Sequence, residues 1–247
     1  MSTINEALLQ TASQPVQSIA DVIAAFEGID RILPESDGLK WFNGLYLNVT
    51  KAVDASVGNR HWNNPAWLTV LDVRFARLYL GAIAASLTPG QQAPGCWQVF
   101  FNARHDAALA RVQFALAGMN AHIDHDLSIA VVESCRQLGL TPAHFGPLHE
   151  DYCQVNGLLD TLIDQTKRQL MVGLLGNPLP AFGMVEDLVA GFGIRAAREV
   201  AWDNAELLYQ AQAIPGAAEQ FLNGLDRLTT AEGAALLAPC LAVPLSL

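Results

Sequence analysis

Charge is scarce in this chain. Only 15% of its 247 residues are charged, and 24 acidic residues outnumber 14 basic ones for a net charge of −10. No run of Lys or Arg occurs, so there is no basic footprint to neutralise phosphates, and nucleic acid is excluded as a natural partner. An anionic membrane surface is disfavoured for the same reason. Cysteine is sparse too. Cys96, Cys135, Cys153 and Cys240 never stand as Cys-x-x-Cys, which argues against a zinc finger or a disulfide framework and for ordinary buried thiols in a reducing cytoplasm. The longest apolar segment, residues 68–87, carries Asp72, Arg74 and Arg77, which speaks against a membrane span. The first residues, Met1 to Glu6, lack the positive and apolar parts of a secretory leader, so a cytoplasmic location is expected. Absent as well are a Gly-x-x-x-x-Gly-Lys phosphate loop, a Gly-x-Ser-x-Gly elbow and His-Glu-x-x-His, along with the paired Glu-x-x-His turns of ferritin-like diiron proteins.

What the chain does contain is apolar, at 51% of residues, and patterned at the helical period with no convincing alternating strand. Ser18 caps a predicted helix through Ile19, Val22, Phe26 and Ile29. A second runs from Leu39 to the stop at Gly58, and Asn64-Pro65 opens a third that lasts to Pro89-Gly90. A short helix is expected through Trp97, Phe100 and Phe101. A long one is expected from Asp106 to Gly139, and another from Pro147 to about Leu174. Gly176, Pro178 and Pro180 separate that helix from one spanning Phe182 to Ala211, and Pro215 opens the last. The expectation is an all-α fold, a compact single-domain bundle of about seven to eight helices over residues 1–247, with no fixed-period repeat.

One stretch stands out, Gly118-Met119-Asn120-Ala121-His122-Ile123-Asp124-His125-Asp126-Leu127. It lies within the long predicted helix between strongly apolar flanks. At about 100° per residue His122 and Asp126 share a face with His125 beside them, while Asp124 points elsewhere, towards solvent. Burying two imidazoles and a carboxylate without partners costs several kcal/mol, so something must satisfy them. Three readings compete: a structural hydrogen-bond network, an acid/base site in which Asp126 orients an imidazole, and a single divalent metal (Zn, Fe or Mn) held by His122 and Asp126 with ligands from other helices.

Other residues could complete a site. Asp72 and Arg77 interrupt an apolar helix, where pairing of an inward Asp72 with an arginine is the structural alternative. His149, Glu150, Asp151 and Tyr152 put polar groups within one turn, with Asn156 a turn further on, although acidic residues there also suit the helix dipole. His61 is expected to face solvent, and His105-Asp106 to open a helix.

The segment from Gln113 to Leu127 resembles the domain-of-unknown-function family 5995, an uncharacterised, mainly bacterial helical family. That family typically reads Asn-Ala-His-Ile-Asn-His-Asp-Leu where this chain has Asp at position 124. Weaker similarities include Trp41-Phe42-Asn43 with Tyr46 and Thr50, Leu71-Asp72 with Phe75-Ala76 and Tyr79, His149 with Asp151-Tyr152 and Val155-Asn156, and Ala201-Trp202. The resemblance implies that Asp72, His122, His125, Asp126 and Asp151 belong together, and it implies no activity.

These readings converge on a small-molecule enzyme with an apolar pocket. His122, His125, Asp126, Asp72 and Asp151 are its catalytic candidates, and Tyr46, Arg77, Asn120, His149 and Asn156 are its substrate-binding candidates. Its partner would be a small apolar metabolite undergoing cyclisation, isomerisation, elimination or hydrolysis. The alternative is a non-catalytic binding or scaffold protein whose His/Asp cluster merely locks helix packing.

Overall fold

The computed structural model of the chain describes residues 3–59, 61–172 and 193–239, with residues 160–172 described for their backbone alone. The predicted connector Gly176–Pro180, the predicted helix between Phe182 and residue 192, and Cys240 lie outside these residues. Everything regular among the described residues is helical: α1 (Thr3–Ala12), α2 (Ile19–Ile32), α3 (Gly38–Val57), α4 (Pro65–Leu87), α5 (Gly95–Ala103), α6 (Arg111–Met119), a π-helical turn (Asn120–Asp126), α7 (Leu127–Gln137), α8 (Pro147–Val172), α9 (Ile194–Ala211) and α10 (Ala217–Leu236). Since α6, the π-turn and α7 form one continuous rod, nine rods are described, one more than the upper expectation. The addition is α1, whose Leu8 is fully buried and which packs on α2 and α4. None of the described helices is long and apolar enough to cross a membrane.

Local chemistry explains most boundaries. Ser18 Oγ accepts from Asp21 N–H, and the Asp21 carboxylate accepts from Ser18 N–H, a reciprocal box at the start of α2. Asn64 Oδ1 accepts from Trp67 N–H, with Pro65 in the first helical position of α4. The long rod begins at Arg111, five residues later than expected. Asp106 caps only a turn, through Ala108 N–H, and Gln113 Oε1 closes the true start by accepting from Ala110 N–H. The start of α3 is held by a buried ion pair. Arg104 grips both oxygens of Asp37, its Nε donating to Oδ1 at 3.1 Å and its Nη2 to Oδ2 at 2.7 Å, while Asp37 Oδ1 also accepts from Leu39 N–H to cap the helix.

The 111–137 rod runs through the middle of the bundle. Its first part packs against α3 and its last part against α4 and α9, while α10 closes over α5 and the π-turn. Apolar side chains form two main clusters. One joins α1–α3, the C-terminal part of α4, α5 and α6; the other joins the N-terminal part of α4 with the π-turn, α7, α8 and α9. Phe75 and Met119 pack against both, so they mark the seam.

The close contact of α3 with α6 depends on Gly118, where an added Cβ would stand 2.3 Å from Cγ of buried Phe42. Alanine is worth about 1 kcal/mol over glycine in a helix interior, but here the aromatic ring would have to move. Gly118→Ala is therefore expected to lower stability by about 1–3 kcal/mol in urea unfolding, a sign opposite to that of helix propensity.

Candidate functional site

A cavity of about 100 Å³ opens at the seam. Its walls come from Phe42, Leu45 and Tyr46 on α3, Leu68, Leu71, Asp72 and Phe75 on α4, and Met119, His122, Ile123 and Leu127 on the central rod. Val49 and Val53 on α3, Tyr152, Val155 and Leu159 on α8, and Ile194 and Arg198 on α9 complete them. Most of this lining is hydrocarbon or aromatic ring. The volume is below the roughly 150 Å³ that takes up benzene, which suits a short-chain compound.

The π-turn builds the reactive side. Leu127 N–H donates to the His122 carbonyl, five residues back, and such widened turns recur at functional sites. Adjacent residues on an α-helix do not face one another, but on this turn His125 and Asp126 meet. His125 Nδ1 lies 2.8 Å from Asp126 Oδ1, and His122 Nδ1 lies 3.0 Å from Oδ2. Trp97 Nε1–H donates to Oδ2 at 2.8 Å. One fully enclosed carboxylate thus joins two imidazoles and an indole. An ionised carboxylate only accepts, so both imidazoles present a protonated Nδ1 to it.

The protonation states follow. Burial alone would raise the Asp126 carboxyl, but the hydrogen bonds from His122 and His125, with the charge of His125, outweigh it and hold it below its ordinary range. Burial would likewise lower His125, yet the Asp126 bond and the charges of Asp126 and Asp226 raise it, so His125 favours its charged form. His122 goes the other way. Burial dominates and lowers it despite Asp126. Phe75 stacks on its ring at 3.5 Å and 6° and Tyr46 crosses it edge-on at 4.5 Å, excluding the water an imidazolium would need. His122 is therefore neutral, its Nδ1 proton committed to Asp126, and its Nε2 lone pair has no hydrogen-bond partner.

Two further buried polar atoms of cavity-lining residues share that condition, Asp72 Oδ2 on α4 and the Tyr46 hydroxyl on α3. No arginine pairs with Asp72 among the described residues, and burial, then the charge of Asp54, pushes its carboxyl up to about 7. Burial, then the charges of Asp72 and Asp126, raises Tyr46 well above the ordinary phenol range. Arg198 supplies a buried cation. Its Nε donates to Asn156 Oδ1 at 2.7 Å and its Nη2 to the Tyr152 carbonyl at 2.9 Å, while its guanidinium lies 4.0 Å above the Tyr152 ring. Both acceptors are neutral.

Of the residues singled out in the sequence, His122, Asp72 and Tyr46 line the cavity, while Asp126 and His125 stand behind His122. The others lie elsewhere. Asp151 is enclosed at the start of α4, where it accepts from the Asn63 and Asn64 N–H groups at 2.9 and 2.6 Å; its oxygens are spent on joining α8 to α4. Arg77, turned about 140° around α4 from Asp72, is exposed. Asn120 points to α10 and donates to the Thr229 carbonyl. Asn156 does not line the cavity but orients Arg198. His149 faces Glu199 outside the cavity. Asp124 is half-buried rather than solvated, and burial, then Glu232, raises its carboxyl to about 7. His61 is exposed as expected, and Cys153 is half-buried where a fully buried thiol was expected.

Donor sets of three or more that converge as metal ligands among the described residues are Cys96–His125–Asp226 and His144–His149–Glu199. Neither contains His122, whose Nδ1 is instead turned to Asp126. Sequence reasoning passed over Arg198, Trp97 and Phe75 as site residues. Arg198 did leave a signal, since it occupies the apolar face of α9 in register with Ala201, Trp202, Ala205 and Leu208. Trp97 left none, being 29 positions from Asp126.

A family model described as "Family of unknown function (DUF5995)" matches residues 19–239, and the chain belongs to that family. The match covers everything from α2 to the end of α10 and leaves out α1. No curated protein and no solved structure matches the chain.

Proposed function

We propose that this family member is an enzyme that moves protons on a short, largely apolar organic acid held in the seam cavity. The observation that carries the reading is the grouping of His122 Nε2, Asp72 Oδ2 and the Tyr46 hydroxyl, three buried polar atoms without partners, around one space. Each such atom costs about 1–3 kcal/mol in a purely structural core; a substrate that bonds to them removes the cost.

In this reading His122 is the general base. Asp126 fixes its tautomer, and Trp97 and charged His125 hold Asp126 in turn. Neutral Asp72 is the acid on the opposite helix, and Arg198 receives the substrate's anionic group. His122 Nε2 takes a proton from carbon while Asp72 gives its own to a departing hydroxyl or to another carbon of the same molecule. The first outcome is elimination and the second isomerisation or ring closure; no redox partner is needed. The rival scaffold reading draws on the saturated Asp126 network, which alone would be a sound structural clasp.

The test is to incubate the purified chain with a small-molecule metabolite extract and follow by mass spectrometry which acids disappear. Removing the base is expected to slow that conversion about 10²–10⁴-fold in His122→Gln, with the fold intact by circular dichroism. The rate should fall above about pH 7, where Asp72 ionises, and again at acid pH, where His122 takes up a proton. Equal conversion by wild type and His122→Gln, or no conversion by either, would leave the clasp as the better account.

A further inference from the structure

On the outer side of the cavity wall, a second group of side chains converges. The loop before α8 brings His144 towards His149 and Cys153 on α8 and Glu199 on α9. Ligand atoms of His144, His149 and Glu199 lie within 4.8 Å of one another. His149 Nε2 is 3.2 Å from Glu199 Oε2, and Cys153 Sγ is 3.5 Å from His149 Nε2 and 3.3 Å from Glu199 Oε1. We propose that His144, His149, Cys153 and Glu199 form a binding site for one divalent transition-metal ion, zinc being the ion this donor set suits.

The spacing supports a tetrahedral centre. With zinc–nitrogen and zinc–oxygen bonds near 2.1 Å and zinc–sulfur near 2.3 Å, the edges of the tetrahedron are about 3.6 Å for nitrogen to sulfur and about 3.4 Å for nitrogen to oxygen. His149 Nε2 stands within a few tenths of an ångström of those edges from both Cys153 Sγ (3.5 Å) and Glu199 Oε2 (3.2 Å), while Cys153 meets the other Glu199 oxygen, Oε1, at 3.3 Å, so a turn of the carboxylate would present one oxygen to the ion. Two imidazoles, a thiol and a carboxylate also match zinc's preference in ligand type. His149 and Cys153 are four residues apart on α8 and share a face.

The surroundings orient the ligands as metal sites require. His144 Nδ1 lies 2.8 Å from Glu206 Oε1, which also accepts from Trp202 Nε1–H; the other nitrogen, Nε2, which would turn to an ion, lies 3.4 Å from the exposed Asp203 carboxylate. As the chain stands, the Cys153 thiol donates to Glu199, and burial, then the Glu199 bond and charge, push it up to about 11. Zinc would displace that proton to solvent and bind the thiolate. Cys153 and Glu199 directly follow Tyr152 and Arg198, which line the cavity, so an ion here would fasten α8 to α9 beside the pocket.

The other convergent set is less suited. Both oxygens of Asp226 cap the start of α5, accepting from Gly95 and Cys96 N–H, and burial holds the Cys96 thiol far above its ordinary range.

Metal-stripped full-length protein titrated with Zn²⁺ against a chromophoric chelator should bind one ion per chain and gain in Tm. Co²⁺ should give intense tetrahedral visible bands together with a near-ultraviolet thiolate-to-cobalt band. Cys153→Ser, which keeps the side chain's size, should lose the thiolate band. His149→Ala should weaken Zn²⁺ binding by at least tenfold, and Glu206→Gln by about 10–100-fold. Cys96→Ser should change nothing. A Co²⁺ spectrum without the thiolate band, Zn²⁺ affinity unaffected by Cys153→Ser and His149→Ala, or loss of binding in Cys96→Ser instead would overturn the proposal.

Discussion

Between about pH 4 and pH 7 the Asp72→Asn protein is expected to gain steadily in stability over wild type, by up to about 4 kcal/mol. The sign follows from the raised carboxyl. In the unfolded chain Asp72 ionises near 3.8, whereas in the bundle it holds its proton to about 7. Within that interval the native state binds more protons, so wild-type stability falls as the pH rises, until the folded group ionises as well. An asparagine has no proton to lose and removes the slope. Asp124 adds a smaller slope of the same sign, being only half-buried, and raised His125 adds one that persists as pH climbs through its folded pKa. Lowered His122 and Asp126 act oppositely, losing stability as the pH falls. The quantity to measure is therefore the difference between variant and wild type, by urea unfolding at each pH. A difference that does not change with pH would mean that Asp72 is ionised in the native protein.

Asp126→Asn is expected to cost about 3–5 kcal/mol, the range for removing one partner of a buried charged network. The amide can accept on one side only. Its NH₂ group then confronts a donor, either an imidazole N–H or the Trp97 indole N–H, so at least one of three hydrogen bonds is lost. Where His122 responds by moving its proton to Nε2, the base becomes a donor into the cavity, and turnover should fall by about 10⁴-fold as with other wrong-tautomer histidines. Urea unfolding gives the first effect. Nitrogen-15 spectra of the imidazoles give the second independently of any substrate, through the exchange of protonated nitrogen. Unchanged stability and an unchanged His122 tautomer would remove Asp126 from the centre of the site.

Much of the fold was legible because its causes are local. The box at Ser18, the Asn64-Pro65 start and the periodic apolar stripes act over a turn or two, and their helices stand where expected. Asp106 misled because a capping side chain serves a turn as readily as a helix, and Gln113 decided the matter. The His122–Asp126 pairing was visible from i, i+4 spacing. The contact between His125 and Asp126 was not, since it needs a π-turn that no residue pattern announces. Asp151 and Asp72 looked alike as acidic residues near apolar helices, but one faces two backbone amides and the other faces hydrocarbon.

The order of residues by itself determined an all-helical chain with titratable groups at the middle of its most apolar rod, because helix periodicity and capping are short-range properties. Only tertiary packing decided what those groups became. It brought Phe75 over His122, Trp97 under Asp126 and Arg198 beside Tyr152, and gave Asp72 no cation among the described residues. Proton affinity depends on solvent exclusion and on charges within a few ångströms, and in this bundle those neighbours come from helices far apart in the chain.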